Sequence, residues 1–407
     1  MRKLFGAALV LAVMFSVCSC ESHRSAKPNA QAMYYRGLCY AKGRGVPQNY
    51  RKAMFWYRKA VAGGDAAAMN GMGVIYERGL GVPRDYRKAM AWYFKASAGG
   101  NPFSMNNIGF CYEQGDGVPQ NYKRALVWYR KAASAGCALA MNNIGELYAT
   151  GCGVRQDYAK AVAWFWKAEL AGSAIAMNNI GVAYKKGLGL PADYSMAVYW
   201  FRRGASAGDA QAMNNIGALY ATGHGVPQDY QRAIVWYRRA ASAGCALAMD
   251  NIGVVYMKGL GVVANYDTAM DWYRRSARLG EARAMNNVGL LYANGLGVRQ
   301  NFTAAISWWK KAAVAGDAKA MANIGVLYED GSGVQQSYRR AMSWYQKAAL
   351  AGCAVAMSHI GALYATGRGV PQDQAKAMVW FKKAAAEARG ELTIEESKEP
   401  SQVETQK

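Results

Sequence analysis

The segment NPFSMNNIGFCYEQGDGVPQNYKRALVWYRKAASAG, residues 101–136, reads as two helices joined by a tight turn. Asn101 is a helix N-cap residue, whose side-chain oxygen can take an orphan backbone N–H. Met105, Ile108, Gly109 and Tyr112 follow at i, i+3, i+4, i+7, the spacing of one buried helical stripe. Gly115 and Gly117 stop that helix, because glycine enters the left-handed region without steric cost. Val118 then turns inward and Pro119 blocks helix resumption. Asn121 caps a second helix, in which Ala125, Trp128, Tyr129 and Ala132 are the expected buried stripe. The small residues Gly109 and Ala125 let the two helices approach closely.

The pattern repeats on both sides without a gap. Trp occurs at 56, 92, 128, 164, 200, 236, 272, 308, 344 and 380, always 36 residues apart. Tyr, Met and Gly columns run in step with it. Ten units, 29–64 through 353–388, cover 360 of the 407 residues. The second-helix cap position holds Asn, Asp or Ser in every unit. A fixed period of this length predicts an all-α fold, an α/α solenoid of ten 36-residue helix hairpins, in which each unit buries its face only by stacking on its neighbours.

The consensus A-x-x-x-I-G-x-x-Y-x-x-G-x-G-V-x-x-D-Y-x-x-A-x-x-W-Y-x-K-A-A-x-x-G resembles the Sel-1-like repeat, a relative of the tetratricopeptide repeat, and does so in all ten units. The resemblance implies a right-handed superhelix with first helices lining a concave face and second helices outside. It also implies an interaction scaffold of the envelope, signalling or host-contact kind, with protein as partner. One cysteine-rich branch of the family is described as weakly hydrolysing or binding β-lactams, so an enzyme of β-lactams or wall fragments is the alternative. Fold alone does not decide between them.

A helical wheel puts one stripe of each first helix opposite the buried one. It carries the columns of Phe103 (with Leu139 and Ile175) and Phe110 (with Val74 and Val182). Between them lies a ladder of amides at Asn70, Asn106, Asn142, Asn178, Asn214 and Asn286. A carboxamide both donates and accepts, so an exposed ladder can clamp the backbone of an extended protein segment, with apolar neighbours forming side-chain pockets. These six residues are the candidate peptide-binding site. The competing reading is structural, each Asn bonding the adjacent repeat. The next column (Asn107, Asn143, Asn179 and onward to His359) lies nearer the helix seam and is read as structural.

Lys and Arg total 49 against 26 Asp and Glu, a net +23 held almost entirely by the repeats. Pairs such as Arg130-Lys131 and Arg274-Arg275 fall on second helices, seven residues from similar pairs. They form a basic outer ridge that is either a solvated face or a surface for anionic glycan, lipid or acidic protein. Nucleic acid is not expected, given an export segment and no exposed aromatics among the basic pairs. That segment is residues 1–20: a basic start, an apolar run from Leu4 to Val17, then Cys18-Ser19-Cys20. Its form resembles a bacterial lipoprotein signal, making Cys20 the expected lipidation site and a lipid anchor in the membrane possible. A periplasmic or outer-membrane location follows, with simple secretion as the alternative. Residues 21–28 read as a linker and 389–407 as a disordered tail.

No catalytic residue, metal site or cofactor is expected. Three histidines stand far apart. Ser307 and Lys310 match a serine-type Ser-x-x-Lys spacing, yet no companion motif accompanies them and other repeats replace Ser307 freely. The repeated GxGV follows a helix rather than a strand, so it is no nucleotide fingerprint. Cys137, Cys245 and Cys353 share one repeat phase and lie too far apart for disulfides.

Overall fold

A computed structural model describes residues 29–390. The signal segment with Cys20, the linker and residues 391–407 lie outside the described residues. Among the described residues there are twenty helices and no strand. The chain divides into two compact units, one ending at Gly204 and the other beginning at Ala205.

The first unit holds five hairpins: α1 (Ala30–Lys42) with α2 (Tyr50–Ala62), α3 (Ala66–Arg78) with α4 (Tyr86–Ala98), and α5 (Pro102–Gln114) with α6 (Tyr122–Ser134). They are followed by α7 (Ala138–Thr150) with α8 (Tyr158–Leu170), and α9 (Ala174–Lys186) with α10 (Tyr194–Ser206), whose last two residues fall past the division. The second unit holds α11 (Ala210–Thr222) with α12 (Tyr230–Ser242), and α13 (Ala246–Lys258) with α14 (Tyr266–Arg278). Then come α15 (Ala282–Asn294) with α16 (Phe302–Val314), α17 (Ala318–Asp330) with α18 (Tyr338–Leu350), and α19 (Ala354–Thr366) with α20 (Gln374–Arg389). The last helix includes Arg389 and is capped by Gly390, so it runs just past the boundary read from the sequence.

Each boundary has a local cause. The caps of all ten second helices accept the backbone N–H three residues on, as Asn121 Oδ1 does from Arg124 at 2.9 Å. Such a cap contributes about 1 kcal/mol. Gly115, at φ 82°, closes α5 by donating its N–H to Cys111 O. Gly117, at φ 73°, lies so close to the preceding repeat that a Cβ there would meet Tyr86 Cβ at 2.8 Å. Gln120 Nε2 pins the turn, donating to Glu113 O and Tyr122 Oη at 2.8 and 2.9 Å.

The hairpin core is built on the aromatic residue after each Trp. Tyr93, Tyr129, Tyr273 and Tyr345 are fully buried, each ring lying against the facing glycine of the first helix. A Cβ on Gly109 would come within 2.6 Å of the Tyr129 ring. The expectation that each Trp is core is corrected. Trp200 and Trp380 are buried, whereas the other eight are half-buried. Each Trp ring instead carries the Lys or Arg three residues on. In all ten repeats the cation sits over the ring, from 4.0 Å (Arg275 on Trp272) to 5.1 Å (Lys59 on Trp56). Stacks of this kind contribute roughly 0.5–1 kcal/mol when exposed. The neighbouring basic residue ties repeats together, as Arg130, Arg238 and Arg274 donate to Tyr148, Tyr256 and Tyr292 of the next repeat. The outer ridge therefore interleaves cations with half-exposed indoles, and Phe55, Phe94 and Tyr199 are exposed beside them. The premise that no exposed aromatics lie there does not hold.

Cys137, Cys245 and Cys353 occupy first-helix N-cap positions without capping, since none accepts the N–H that Asp65 or Asp209 accepts in its own repeat. Their free thiols are buried with the core instead.

Candidate functional site

The Asn column does not lie on an open face. Asn106, Asn142, Asn178, Asn214 and Asn286 are 2–9% exposed and Asn70 is half-buried. The wheel treats one helix in isolation, and within each unit the first helix of the following repeat covers the column. In the first unit Asn107, Asn143 and Asn179 donate through Nδ2 to the Oδ1 of Asn70, Asn106 and Asn142 at 3.1, 3.0 and 2.9 Å. In the second unit Asn251, Asn287 and Asn323 donate likewise to Asn214, Asp250 and Asn286 at 2.9, 2.8 and 3.0 Å. The two amide columns form one system, in which each rung joins a repeat to its predecessor.

The departures from Asn obey the same geometry. Tyr34 lacks the acceptor amide, and the next repeat has Gly71 where the donor would be. Ala322 lacks it, and the next repeat has His359, which turns to Glu329 Oε2 at 3.2 Å and stacks on Tyr345. Acceptor and donor disappear together, one repeat apart. That offset is legible in the sequence once the columns are compared across repeats rather than within one.

Asp250 is the charged rung. It is fully buried, accepts from Asn287 and lies 3.1 Å from Arg283 Nη2, whose approach to Oδ2 is off the hydrogen-bond axis. Burial pushes its carboxyl up to about 6, with Arg283 and then Asn287 opposing the rise.

Large apolar side chains also stand open on the first helices of the first unit, alongside exposed polar ones such as Glu146. Phe103, Phe110, Leu139 and Ile175 are 40–53% exposed. In the second unit the column of Phe103 instead carries the exposed cations Arg283 and Lys319. Beside the apolar row stand the carboxylates Glu77 and Glu113, which accept from the buried hydroxyls of Tyr93 and Tyr129, the latter at 2.6 Å. Burial holds the Glu113 carboxyl above the usual carboxylate range, and the Tyr129 hydroxyl opposes this.

Among the described residues no group of His, Cys, Asp and Glu could hold a metal ion, and no helix is long and apolar enough to cross a membrane. Ser307 and Lys310 lie on α16, separated by the half-buried Trp308 and the buried Trp309.

A model of the Sel1 repeat matches ten times, at 30–65, 66–101, 102–137, 138–173, 174–209, 210–245, 246–281, 282–317, 318–353 and 354–388. A Sel1 repeat protein from Oxalobacter formigenes, of known structure, is 34% identical over 60% of this chain and 99% of its own, with a TM-score of 0.53. A protective antigen of uropathogenic Escherichia coli, described as displaying an SLR fold, is 29% identical over 91% of this chain and 89% of its own, with a TM-score of 0.47. No curated protein shows a significant match. Proteins of these repeats generally mediate protein–protein interaction. The hairpins, their glycine-to-aromatic contacts and the ten matches lead to one conclusion: the chain belongs to the Sel1 repeat family.

Proposed function

We propose that the protein is a non-catalytic scaffold of the cell envelope that holds an extended protein segment along the first helices of repeats three to five. The row of exposed Phe103, Phe110, Leu139 and Ile175 carries this reading. Large apolar side chains grouped on one face mark interaction surfaces, whereas scattered ones need no explanation. The buried amides beneath them, Asn70, Asn106 and Asn142 with their partners, fix the spacing of the first helices so that the row keeps its register. In this reading the six Asn residues support the partner's seat rather than clamp its backbone. Export through residues 1–20 and acylation at Cys20 would set the location. Mass spectrometry of the mature chain tests that part, and an unacylated start elsewhere than Cys20 would overturn it.

The binding test compares wild type with Leu139→Ser/Ile175→Ser in pull-downs from envelope extract. Proteins held by wild type are expected to be lost with the variant while its unfolding midpoint stays put. Retention of the same proteins by the variant would refute the site. Incubation with a chromogenic β-lactam is expected to give no turnover.

A second reading has its own observation, the ten cations seated on indole rings along the second helices. Such a surface suits anionic glycan or lipid head groups. Binding there would weaken steeply as salt rises from about 0.05 to 0.5 M, whereas apolar docking on the first helices would not.

A further inference from the structure

A cavity of about 280 Å3 opens between α7, α8 and α9 in the first unit. Phe165, Ala149, Val182 and Leu188 make its walls apolar, and Glu146 and Asn179 bring polar atoms to it. Its origin can be followed residue by residue. In repeats two and three the hydroxyl of Tyr93 or Tyr129 donates to Glu77 or Glu113 at the corresponding position. Repeat four has Phe165 for the Tyr and Ala149 for the Glu, so hydroxyl and carboxylate are both missing. Glu146 in turn stands where the other nine repeats have Leu, Val, Phe or Ala. Its Oε1 accepts from Asn142 Nδ2 at 2.8 Å and Asn179 Nδ2 at 3.3 Å, which holds this exposed carboxylate beside the cavity.

We propose that this cavity receives one lysine or arginine side chain of the extended protein partner, the aliphatic stem against Phe165, Val182 and Leu188 and the cationic head on Glu146. The proposal rests on the reading of the first-helix face as a protein-binding surface. Four arguments choose the occupant. A purely apolar group would desolvate Glu146 without pairing it, and an acidic one would meet its charge directly. Lys and Arg are the side chains that combine a long apolar stem with a cation. The volume falls below the roughly 300–1,000 Å3 of small-molecule pockets, which suits one side chain better than a whole ligand. Finally, Leu139 and Ile175 lie seven residues before Glu146 and Val182 on α7 and α9, about 10 Å along the helices. An extended chain covers that distance in about three residues.

The test uses the full chain with labelled Ile, Leu and Val methyl groups, titrated with acetyl-GLAAKAG-amide and with the same peptide carrying norleucine or glutamate for lysine. The lysine peptide is expected to move the methyl signals of Leu139, Ile175, Val182 and Leu188, and to bind about ten- to a hundredfold more tightly than the other two. Ala149→Glu/Phe165→Tyr, which restores the pair of repeat three, should keep the Leu139 and Ile175 shifts but lose the Leu188 shift and the lysine preference. Glu146→Val, the residue of four other repeats at this column, should reverse the preference toward norleucine. Equal binding of lysine and norleucine peptides, with Leu139 and Ile175 still moving, would overturn the cavity assignment alone. Lysine preference surviving in the filled variant would do the same, as would n-butylammonium moving Leu188 at the same concentration as the peptide. Peptides that move neither Leu139 nor Ile175 would overturn the underlying docking surface as well.

Discussion

Asp250→Asn should stabilise the second unit at neutral pH and leave it almost unchanged in acid. Asp250 occupies a rung that six other repeats fill with Asn, and its side chain is fully buried. Its folded-state value of about 6 lies above the ordinary 3.8, chiefly through burial, with Arg283 and Asn287 opposing the rise and Glu281 and Asp317 adding to it. The native state therefore binds more protons than the unfolded chain between these values. Stability falls as pH rises through that window and stays lower above it. A difference of about two units corresponds to about 3 kcal/mol, of which about 2 kcal/mol is lost between roughly pH 4.5 and 7.5. The amide of Asn carries no charge and accepts from Asn287 as Asn286 accepts from Asn323. The stability gap between variant and wild type should thus widen by about 2 kcal/mol over that range. Urea unfolding at both pH values, with hydrogen exchange of residues 246–278 to localise the effect, measures it. A gap that does not change with pH, or a variant less stable at neutral pH, would refute the account.

Gly109→Ala is expected to cost about 1–3 kcal/mol, because its Cβ would fall 2.6 Å from the Tyr129 ring, and thermal unfolding reads this directly. Trp200→Ala should cost about 3–5 kcal/mol, while Trp128→Ala, half-buried under Lys131, should cost clearly less; equal urea midpoints for the two would count against the burial assignments. Asn106→Ala and Asn214→Ala should each lose about 1–3 kcal/mol of stability by stranding Asn143 and Asn251. An unchanged midpoint in either would return the ladder to solvent.

The hairpins were legible because their causes are local. Caps such as Asn121, the glycines at 115 and 117 and the 3.6-residue stripes of α5 and α6 all lie within one repeat. Contacts made between helices, within a hairpin or across repeats, are harder to read. Trp128 and Tyr129 are adjacent, both apolar, and about 100° apart on the wheel. Only the position of the facing Gly109 shows that Tyr129 enters the hairpin while Trp128 stays half-buried under Lys131. Asn106 is polar and opposite the buried stripe, so a single helix presents it as exposed; Asn143 of the next repeat buries it. The cavity at Phe165 depends on three substitutions in one repeat, at 146, 149 and 165. Ala149 and Phe165 have counterparts in other repeats, Glu146 has none, and only the hairpin brings the three together.

The amide rungs also bear on how such a chain can change length. A repeat such as the third carries an acceptor for its successor, Asn106, and a donor for its predecessor, Asn107. Copying or excising one whole unit between two such repeats therefore recreates the same joint at the new seam. An insertion or deletion of any other size would separate acceptor from donor and misplace the glycine that faces each aromatic ring. Growth by whole-unit copying fits the unbroken period of 36, and GCALAM at 136–141 and again at 244–249 looks like the trace of one three-repeat copying event. Tyr34 with Gly71 near the start and Ala322 with His359 near the end cannot form the rung, so new units join without a mismatch only between the second repeat and the ninth.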